Sequence, residues 1–383
     1  MTDFTTLPDL ASRAVGGAAV AANDESFAER ENLLRPGPPE RHDDFGHKGK
    51  VYDGWETRRR RTPGTDWVIV RLGVPGLVHG VVVDTSFFTG NYPPRASVDG
   101  LAVEGYPTAE ALAAAEWTPL LPAVQLRGDT RNAFPVECGQ RFTHVRLTID
   151  PDGGVARLRV HGTPVADPRL LDAGPVDLAA LENGGLVAGC SNAFYSAPTR
   201  LISPGLARSM GEGWETARRR HAGNDWVTVR LATTGVVRLA ELDTSWFLHN
   251  APGAARLTGC VPDRSQPNDP ATWPELLPRA PLLPDTRHRF VLAGGPAVTD
   301  VRLDVYPDGG MARLRLWGVP TAAGRSRLGR TWFDTLPAAQ AVEVLVAAGV
   351  PAAEAVAAAD GRPTLGAGPV PPAVAALLDG PGG

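Results

Sequence analysis

The chain has 383 residues, which is long enough for two domains that each bury a hydrophobic core. Its formal net charge of −4 argues against a nucleic-acid binder that works through bulk positive charge. Three cysteines at wide spacing match neither a disulfide framework nor a zinc site, and no stretch reaches the roughly 20 apolar residues of a membrane span. Because the N-terminus also lacks the pattern of a signal peptide, we expect a cytoplasmic protein without a nucleic-acid or membrane partner.

An internal repeat organises most of the chain. The segment DGWETRRRRTPGTDWVIVRL, which begins at Asp53, returns 159 positions later as EGWETARRRHAGNDWVTVRL. Two shorter segments keep the same order in both copies: DTSFF at Asp84 matches DTSWF at Asp243, and PDGGVARLRVHG at Pro151 matches PDGGMARLRLWG at Pro307. The matches predict a first repeat domain over residues 1–165, a linker over 166–183, a second repeat domain over 184–322 and a tail over 323–383.

Each repeat is predicted to be all-β. The runs DWVIVRL and HGVVVDTSFF favour two strands separated by a turn at GVPG, since β-branched residues are frequent in both. VRLTIDPDGGVARLRV favours a tight hairpin with P-D-G-G as its turn. Strand alternation then places Arg157 and Arg159, and Arg313 and Arg315 in the second copy, on the solvent-facing side of their strands. Many short strands with Gly- and Pro-rich connections are typical of a β-sandwich or jelly roll.

Residues 323–383 differ from the repeats in composition. TWFDTLPAAQAVEVLVAAG is rich in alanine and carries Leu336, Val342 and Leu345 at helical spacing. This pattern predicts one or two helices, followed by a loose tail rich in Pro and Gly.

The repeated motifs resemble the allantoicase family. DGWETRR, DWVIVRLG, DTSFFTGNYP, THVRLTIDPDGGVARLRVHG and LENGGLVAGCSN are all similar to segments of that family, and the resemblance spans both repeats. It implies two tandem jelly-roll-like β-sandwich domains and the hydrolysis of allantoate to ureidoglycolate and urea in allantoin breakdown. FDTLPAAQAVEVLVAAG in the tail is similar to the start of the OHCU decarboxylases. Their later His-containing stretch has no counterpart here, which favours a docking or fusion segment.

A second class of function stays open at this point. β-sandwich domains also serve as non-catalytic modules that bind small ligands or carbohydrates, because a fold does not fix a function. Release of urea from allantoate distinguishes an enzyme from such a module.

Replacing one ureido group of allantoate by water needs a side chain that accepts and returns a proton. The glutamate of each WET segment stands beside a tryptophan, where partial desolvation would raise its pKa. The aspartate of each DTS segment ends an apolar strand, where ligand-binding loops gather. The predicted catalytic residues are these four carboxylates: Glu56, Asp84, Glu215 and Asp243. The alternative for each is a structural hydrogen bond at a corner or a strand end.

The carboxylate and the ureido arms of allantoate also need partners. Arginine suits the carboxylate, and amide or acidic side chains suit the ureido groups. The predicted substrate-binding residues are Arg58, Arg59, Asp66 and Asn91 in the first copy and Arg218, Arg219, Asp225 and Asn250 in the second. Arg58 of the first copy matches Ala217 of the second, which indicates that the two sites are not equivalent.

No H-E-x-x-H, paired His or Cys-x-x-C pattern marks a metal site. A divalent metal held by carboxylates from scattered strands stays possible, and no residue is assigned to it. The family usually has histidine where this chain has Arg60 and Thr65. His144, next to a strand rich in Val and Leu, is predicted to be structural. We expect the chain to form a homo-oligomer.

Overall fold

The protein is described by a computed structural model that covers residues 3–47, 49–262, 265–366 and 370–380. The chain divides into two compact units, each built around one repeat. The first unit contains residues 1–165 and Thr335–Val346, and the second contains Ala166–Asp334 and residues 347–383. No helix of the described residues is long and apolar enough to cross a membrane.

The part of the first unit that precedes residue 166 contains strands and a short helix, α1 (Ala109–Ala114). Its strands are β1 (Ala18–Ala22), β2 (Phe45–Gly46), β3 (Gly49–Lys50), β4 (Trp55–Glu56), β5 (Asp66–Asp84), β6 (Arg95–Leu101), β7 (Thr118–Gln125), β8 (Arg131–Pro135), β9 (Arg141–Asp150), β10 (Gly154–Val155) and β11 (Arg157–Pro164). The main sheet has the order β1-β5-β9-β6-β7, and β8 and β11 also pair with β5. Val70, Leu147 and Leu158 are fully buried, so the core lies between these strands.

Strand β5 runs for 19 residues and is the central strand of the unit. Its first half, from Asp66, pairs with β1 and β9, and its second half, up to Asp84, pairs with β8 and β11. The prediction of two strands separated by a turn at GVPG is wrong, because these residues continue the strand through a register shift between Arg71 and Gly76. Such an irregularity bends a strand without ending it, which lets one sheet curl into a sandwich.

The predicted hairpin at P-D-G-G is also wrong. Strands β9 and β11 both pair with β5, and the short β10 between them pairs with β4. Gly153 has a φ of 144°, and a Cβ there would lie 2.6 Å from the backbone nitrogen of Pro93. Glycine is therefore needed here because the segment passes close to a neighbouring loop, not because it turns back on itself.

The arginines of β11 point inward, not toward solvent as the alternation predicted. Arg157 is 2% exposed, and it donates to the carboxylate of Asp53 and, at 2.9 Å, to the backbone oxygen of Asp53. Burial by itself raises the pKa of Asp53, but the hydrogen bond and the charge of Arg157 hold that pKa below its usual value. The chain ahead of WET covers this face of the strand. Arg159, Arg313 and Arg315 are enclosed in the same way.

The second unit repeats this plan. Its strands are β12 (Val176–Asp177), β13 (Leu186–Cys190), β14 (Trp214–Glu215), β15 (Asp225–Asp243), β16 (Ala254–Cys260), β17 (Glu275–Pro281), β18 (Arg287–Val291), β19 (Val298–Tyr306), β20 (Gly310–Met311) and β21 (Arg313–Pro320). The sheet has the order β12-β21-β15-β19-β16-β17, and β13 and β18 also pair with β15. The predicted fold class, two tandem β-sandwich domains followed by helices, is confirmed.

The tail is more ordered than predicted. Its described residues form α2 (Ala322–Thr335), α3 (Ala338–Ala347), α4 (Ala352–Asp360) and α5 (Pro372–Asp379). The prediction of one or two helices before a loose tail is wrong, because α5 buries Val374 and Leu378. Arg325 of α2 holds α5 in place by donating to the backbone oxygen of Leu378 at 2.9 Å. The predicted loose tail also included residues 367–369 and 381–383, which lie outside the described residues.

Candidate active site

Three motifs that recur in both repeats meet at one place in the first unit. Strand β4 pairs with β10, so that Glu56 lies opposite Gly154. Thr57 and Gly153 exchange hydrogen bonds of 3.1 Å, from Thr57 N to Gly153 O and from Gly153 N to Thr57 Oγ1. Gly154 N also donates to the backbone oxygen of Asn91 at 2.7 Å. The WET, PDGG and DTSFFTGN segments are thereby fixed against one another.

Two predicted residues are in direct contact at this junction. Asn91 Nδ2 donates to Glu56 Oε1 at 2.7 Å. Burial raises the pKa of Glu56, and the hydrogen bond from Asn91 opposes this rise. A carboxylate that is partly removed from water and held by one amide is a stronger base than an exposed glutamate. The pair therefore has the chemistry of a general base with a fixed orientation.

A glycine gives the DTSFFTGN loop the room to reach this position. A Cβ at Gly154 would lie 2.0 Å from the ring of Phe88. Tyr52 stacks on the same ring with 4.7 Å between centroids. Packing of Phe88 onto bare backbone therefore brings the loop, and Asn91 with it, against WET.

The residues that follow WET in the chain line a cavity of 250 Å³, which we call the arginine cavity. Its lining residues are Asn23, Asp24, Arg58, Arg59, Arg60, Arg61, Thr62 and Asp66. Arg58 stands two residues after Glu56, and its Nε lies 3.0 Å from Asp24 Oδ2. Burial raises the pKa of Asp24, but hydrogen bonds from Arg58 N and from Ser26, together with the charge of Arg58, bring it below its usual value. Asp24 is therefore a charged partner of Arg58, whose side chain is otherwise largely exposed.

Arg60 is held more tightly than the other arginines of the cavity. Its Nη2 lies 2.8 Å from Asp66 Oδ1, which also accepts from Asn23 Nδ2 at 3.1 Å. Asp66 is 2% exposed, so it lies behind Arg60. Gly64 has a φ of 147°, and a Cβ there would come within 2.6 Å of Arg60 Nη1. The guanidinium of Arg60 therefore lies against a position whose backbone conformation favours glycine.

Arg59 and Arg61 are exposed. Among the described residues neither makes an ion pair or a side-chain hydrogen bond, although both line the arginine cavity. Their donors are therefore available to an anion, and the predicted substrate-binding role of Arg59 stays a prediction.

The DTS aspartates are the last residues of β5 and β15, at the strand ends where the sequence placed them. Asp84 Oδ1 accepts from Ser86 N at 2.9 Å and from Ser86 Oγ at 2.6 Å, and Asp243 Oδ1 accepts from Ser245 N at 2.8 Å. Among the described contacts, neither Asp84 nor Asp243 touches a WET glutamate. Each aspartate stabilises the turn after its strand, and its catalytic role stays a prediction.

The second unit repeats the central contact but not all of its surroundings. Asn250 Nδ2 donates to Glu215 Oε1 at 2.6 Å, and Arg219 pairs with Asp225. Arg218 is exposed, like Arg59. Ala217 replaces Arg58, so this copy has no cation two residues after its glutamate.

Asn23, Asp24 and the role of Arg60 were not predicted from the sequence. The repeat contained a signal for the first two, because GGAAVAANDESFA matches GGLVAGCSNAFYS and places Asp24 against Asn192. His144 is buried as predicted, with Nδ1 2.9 Å from Thr143 Oγ1. The described residues contain no group of three or more His, Cys, Asp or Glu that could hold a metal ion, so none is assigned as a ligand.

The sequence of both repeats matches one family model. This model, described as an allantoicase repeat, matches residues 8–165 and 176–321. The chain belongs to the allantoicase family. The resemblance to allantoicases is thereby confirmed, whereas the tail lies beyond the matched residues, and its resemblance to OHCU decarboxylases stays a prediction.

Relatives of this family agree in sequence and in fold. A probable allantoicase of Nocardia farcinica is 62% identical over 319 residues, which are 82% of this chain and 95% of that protein. An allantoicase of Dictyostelium discoideum is 41% identical over 321 residues, which are 80% of this chain and 86% of that one. The crystal structure of allantoicase from Saccharomyces cerevisiae superposes with a TM-score of 0.71 at 32% identity and covers 81% of this chain and 92% of that one.

Proposed function

We propose that the chain hydrolyses allantoate to ureidoglycolate and urea, with the Glu56–Asn91 pair at its catalytic centre. The reaction rests on the family, since the family model matches both repeats and relatives named allantoicase match at least 80% of this chain. The single observation that carries the site is the 2.7 Å contact between Glu56 and Asn91, where three repeated motifs meet. A non-catalytic binding module is not favoured by these matches.

Glu56 can move one proton from the attacking water to the departing nitrogen. Its carboxylate takes a proton from water as the water oxygen bonds to the substituted carbon of allantoate. The bond from that carbon to one ureido nitrogen breaks, and the departing nitrogen receives the proton from Glu56, so that urea leaves as a neutral molecule. Glu56 ends as it began, and no covalent intermediate with the protein is needed. Burial, which raises the pKa of Glu56, supports the first step.

The arginine cavity supports binding of the substrate's carboxylate. Arg58 and Arg59 have donors at its wall, and a guanidinium can hold a carboxylate through two parallel hydrogen bonds. Asp66 acts through Arg60, which it holds at 2.8 Å. Asn91 orients Glu56 and thereby fixes the direction in which the proton moves.

The second unit has Glu215, Asn250, Asp225, Arg218 and Arg219 at the aligned positions but has no counterpart of Arg58, so equal roles do not follow from the repeat alone. Asp84 and Asp243 hold the turns that precede the two asparagines. The DTS turn of the first unit ends five residues before Asn91, so loss of its capping aspartate would move the amide.

Three broader predictions accompany this function. We keep the division into repeat domains over 1–165 and 184–322, with a linker over 166–183 and a tail from 323. We also expect a homo-oligomer in the cytoplasm. Light scattering on the purified protein and fractionation of cells test the oligomer and the location.

The test of the function is direct. Purified protein is mixed with allantoate, and urea and ureidoglycolate are followed with and without a chelator. Equal amounts of the two products are expected. No urea under either condition would contradict the proposal.

A further inference from the structure

The surroundings of the two glutamate–asparagine pairs differ in charge. Asp24 Oδ1 accepts from Arg58 N at 3.0 Å, and Asn192 Oδ1 accepts from Ala217 N at 3.1 Å. The backbone contact is therefore the same in both units. Only the first unit adds an ion pair to it, because both charged side chains are absent from the second.

A loop of the first repeat also has no full counterpart. Sixteen residues separate Gly37 from Gly54, whereas seven separate Gly205 from Gly213. The longer loop, residues 38–53, carries the strands β2 and β3. It forms one wall of a second cavity of 210 Å³, which we call the loop cavity.

The loop cavity joins this loop to the segment that carries Asn91. Its lining residues are Glu40, Arg41, His42, Lys50, Val51, Tyr52, Asp53, Ser86, Phe87, Phe88, Thr89 and Asp129. The cations Arg41 and Lys50 both lie near Asp43, at 3.3 and 3.8 Å. The first repeat therefore has positive side chains on the loop that leads into Glu56 as well as in the arginine cavity.

The second repeat covers its pair with an apolar side chain instead. Met210 Sδ lies 3.4 Å from Asn250 Nδ2. The aligned residue of the first repeat is Val51, which is shorter and lines the loop cavity. The amide of Asn250 is thereby occupied on both sides, by Glu215 and by Met210.

We propose that catalysis takes place in the first repeat only, and that Arg58, paired with Asp24, binds the carboxylate of the substrate beside Glu56. The inference rests on the proposed function. Arg58 distinguishes the first repeat from the second only if the substrate is an anion, because an anion is attracted by its positive charge. The contact between Glu215 and Asn250 is then a structural remnant of the duplication, which keeps β14 and the DTSWF loop together.

Matched substitutions at the two aligned positions test this assignment. Arg58→Ala is expected to lower kcat/KM by about 10- to 100-fold, as for loss of a hydrogen bond to a charged group. Ala217→Arg restores the missing cation in the second repeat and is expected to change kcat/KM less than about twofold. Unchanged kcat/KM in Arg58→Ala, or a gain of several-fold in Ala217→Arg, would overturn the proposal.

A second experiment compares substitutions of the two WET glutamates. Glu215→Gln is expected to keep most of the activity, while Glu56→Gln loses it, with melting temperatures within a few degrees of the parent protein. Equal losses in both variants would mean that the repeats act together and would overturn the proposal.

Calorimetric titration separates this inference from the proposed function. Glu56→Gln protein titrated with allantoate is expected to bind one equivalent per chain, and Arg58→Ala in the same background is expected to remove that binding. Two equivalents, or none, would contradict a single site in the first repeat. If the parent protein releases no urea, the proposed function fails, and the titration still decides where the ureide binds.

Discussion

Asn91 donates a 2.7 Å hydrogen bond to Glu56, and Asn250 donates one of 2.6 Å to Glu215. The same amide–carboxylate contact therefore holds WET and the DTS loop together in each repeat. What differs is the charge beside it, with Arg58 and Asp24 in the first repeat and Ala217 and Asn192 in the second.

The pH dependence of the reaction should reveal Glu56. As the base toward water, Glu56 has to be ionised, so kcat/KM is expected to fall as the pH drops through its pKa. Burial raises the pKa of Glu56, so kcat/KM should begin to fall at a pH above 4.5, the ordinary pKa of a glutamate. Asn91→Ala removes a hydrogen bond that lowers the pKa, so the limb should move to higher pH in that variant. A pH–rate profile measures both positions, and a limb that stays in place or moves to lower pH would refute the role of Asn91.

The glycines under the two paired arginines allow a matched comparison. Gly64→Ala places a Cβ 2.6 Å from Arg60 Nη1, whereas Gly223→Ala places one at 3.5 Å from Arg219 Nη1. Both residues have positive φ, so both variants should lose about 1 kcal/mol of stability. Only Gly64→Ala should also lower kcat/KM, because it moves Arg60 away from Asp66. Similar kinetics in the two variants would show that the position of Arg60 does not matter.

The buried ion pair between Arg157 and Asp53 should contribute strongly to the free energy of unfolding. Both side chains are nearly inaccessible, with 2% and 3% of their surface exposed. Arg157→Ala removes the hydrogen bond and the positive charge that offset the burial of the Asp53 carboxylate. We expect a loss of about 3–5 kcal/mol in the free energy of unfolding, measured with guanidinium chloride. Arg95→Ala breaks the exposed pair with Asp150 and should cost less than about 1 kcal/mol. Equal losses of unfolding free energy in the two variants would mean that burial of the Arg157–Asp53 pair does not add to stability.

His144 should titrate far below an ordinary histidine. Burial, and then the charge of Arg71, lowers its pKa from 6.5 to about 4. Its proton is therefore held more weakly in the folded chain than in the unfolded one, so its contribution to stability falls as the pH drops from 6.5 toward 4. NMR titration of the ring is the measurement, and a pKa near 6.5 would show that the ring is accessible to water.

Repetition in the sequence was the signal that located the centre of the site. Glu56 and Asn91 were both chosen because they recur in motifs, and they are in contact. Asp24 was not predicted although the repeat aligns it with Asn192, because its role depends on contacts with Arg58. These residues are 34 positions apart, and no local pattern predicts their contact.

Local sequence patterns gave wrong predictions where contacts with distant chain segments determine the structure. Strand alternation gives the side on which Arg157 lies, but it does not reveal that the chain ahead of WET covers that side. GVPG has the composition of a turn, yet pairing on both halves of β5 keeps it extended. Tertiary contacts outweigh local preference in both cases.

The central claim is that Glu56 moves the proton in this hydrolysis. The most direct measurement is the steady-state release of urea from allantoate by Glu56→Gln, which keeps the size of the side chain and the contact with Asn91 but removes the base. The account predicts that kcat falls by about 100-fold or more while KM changes little. An unchanged kcat in a folded variant would contradict it.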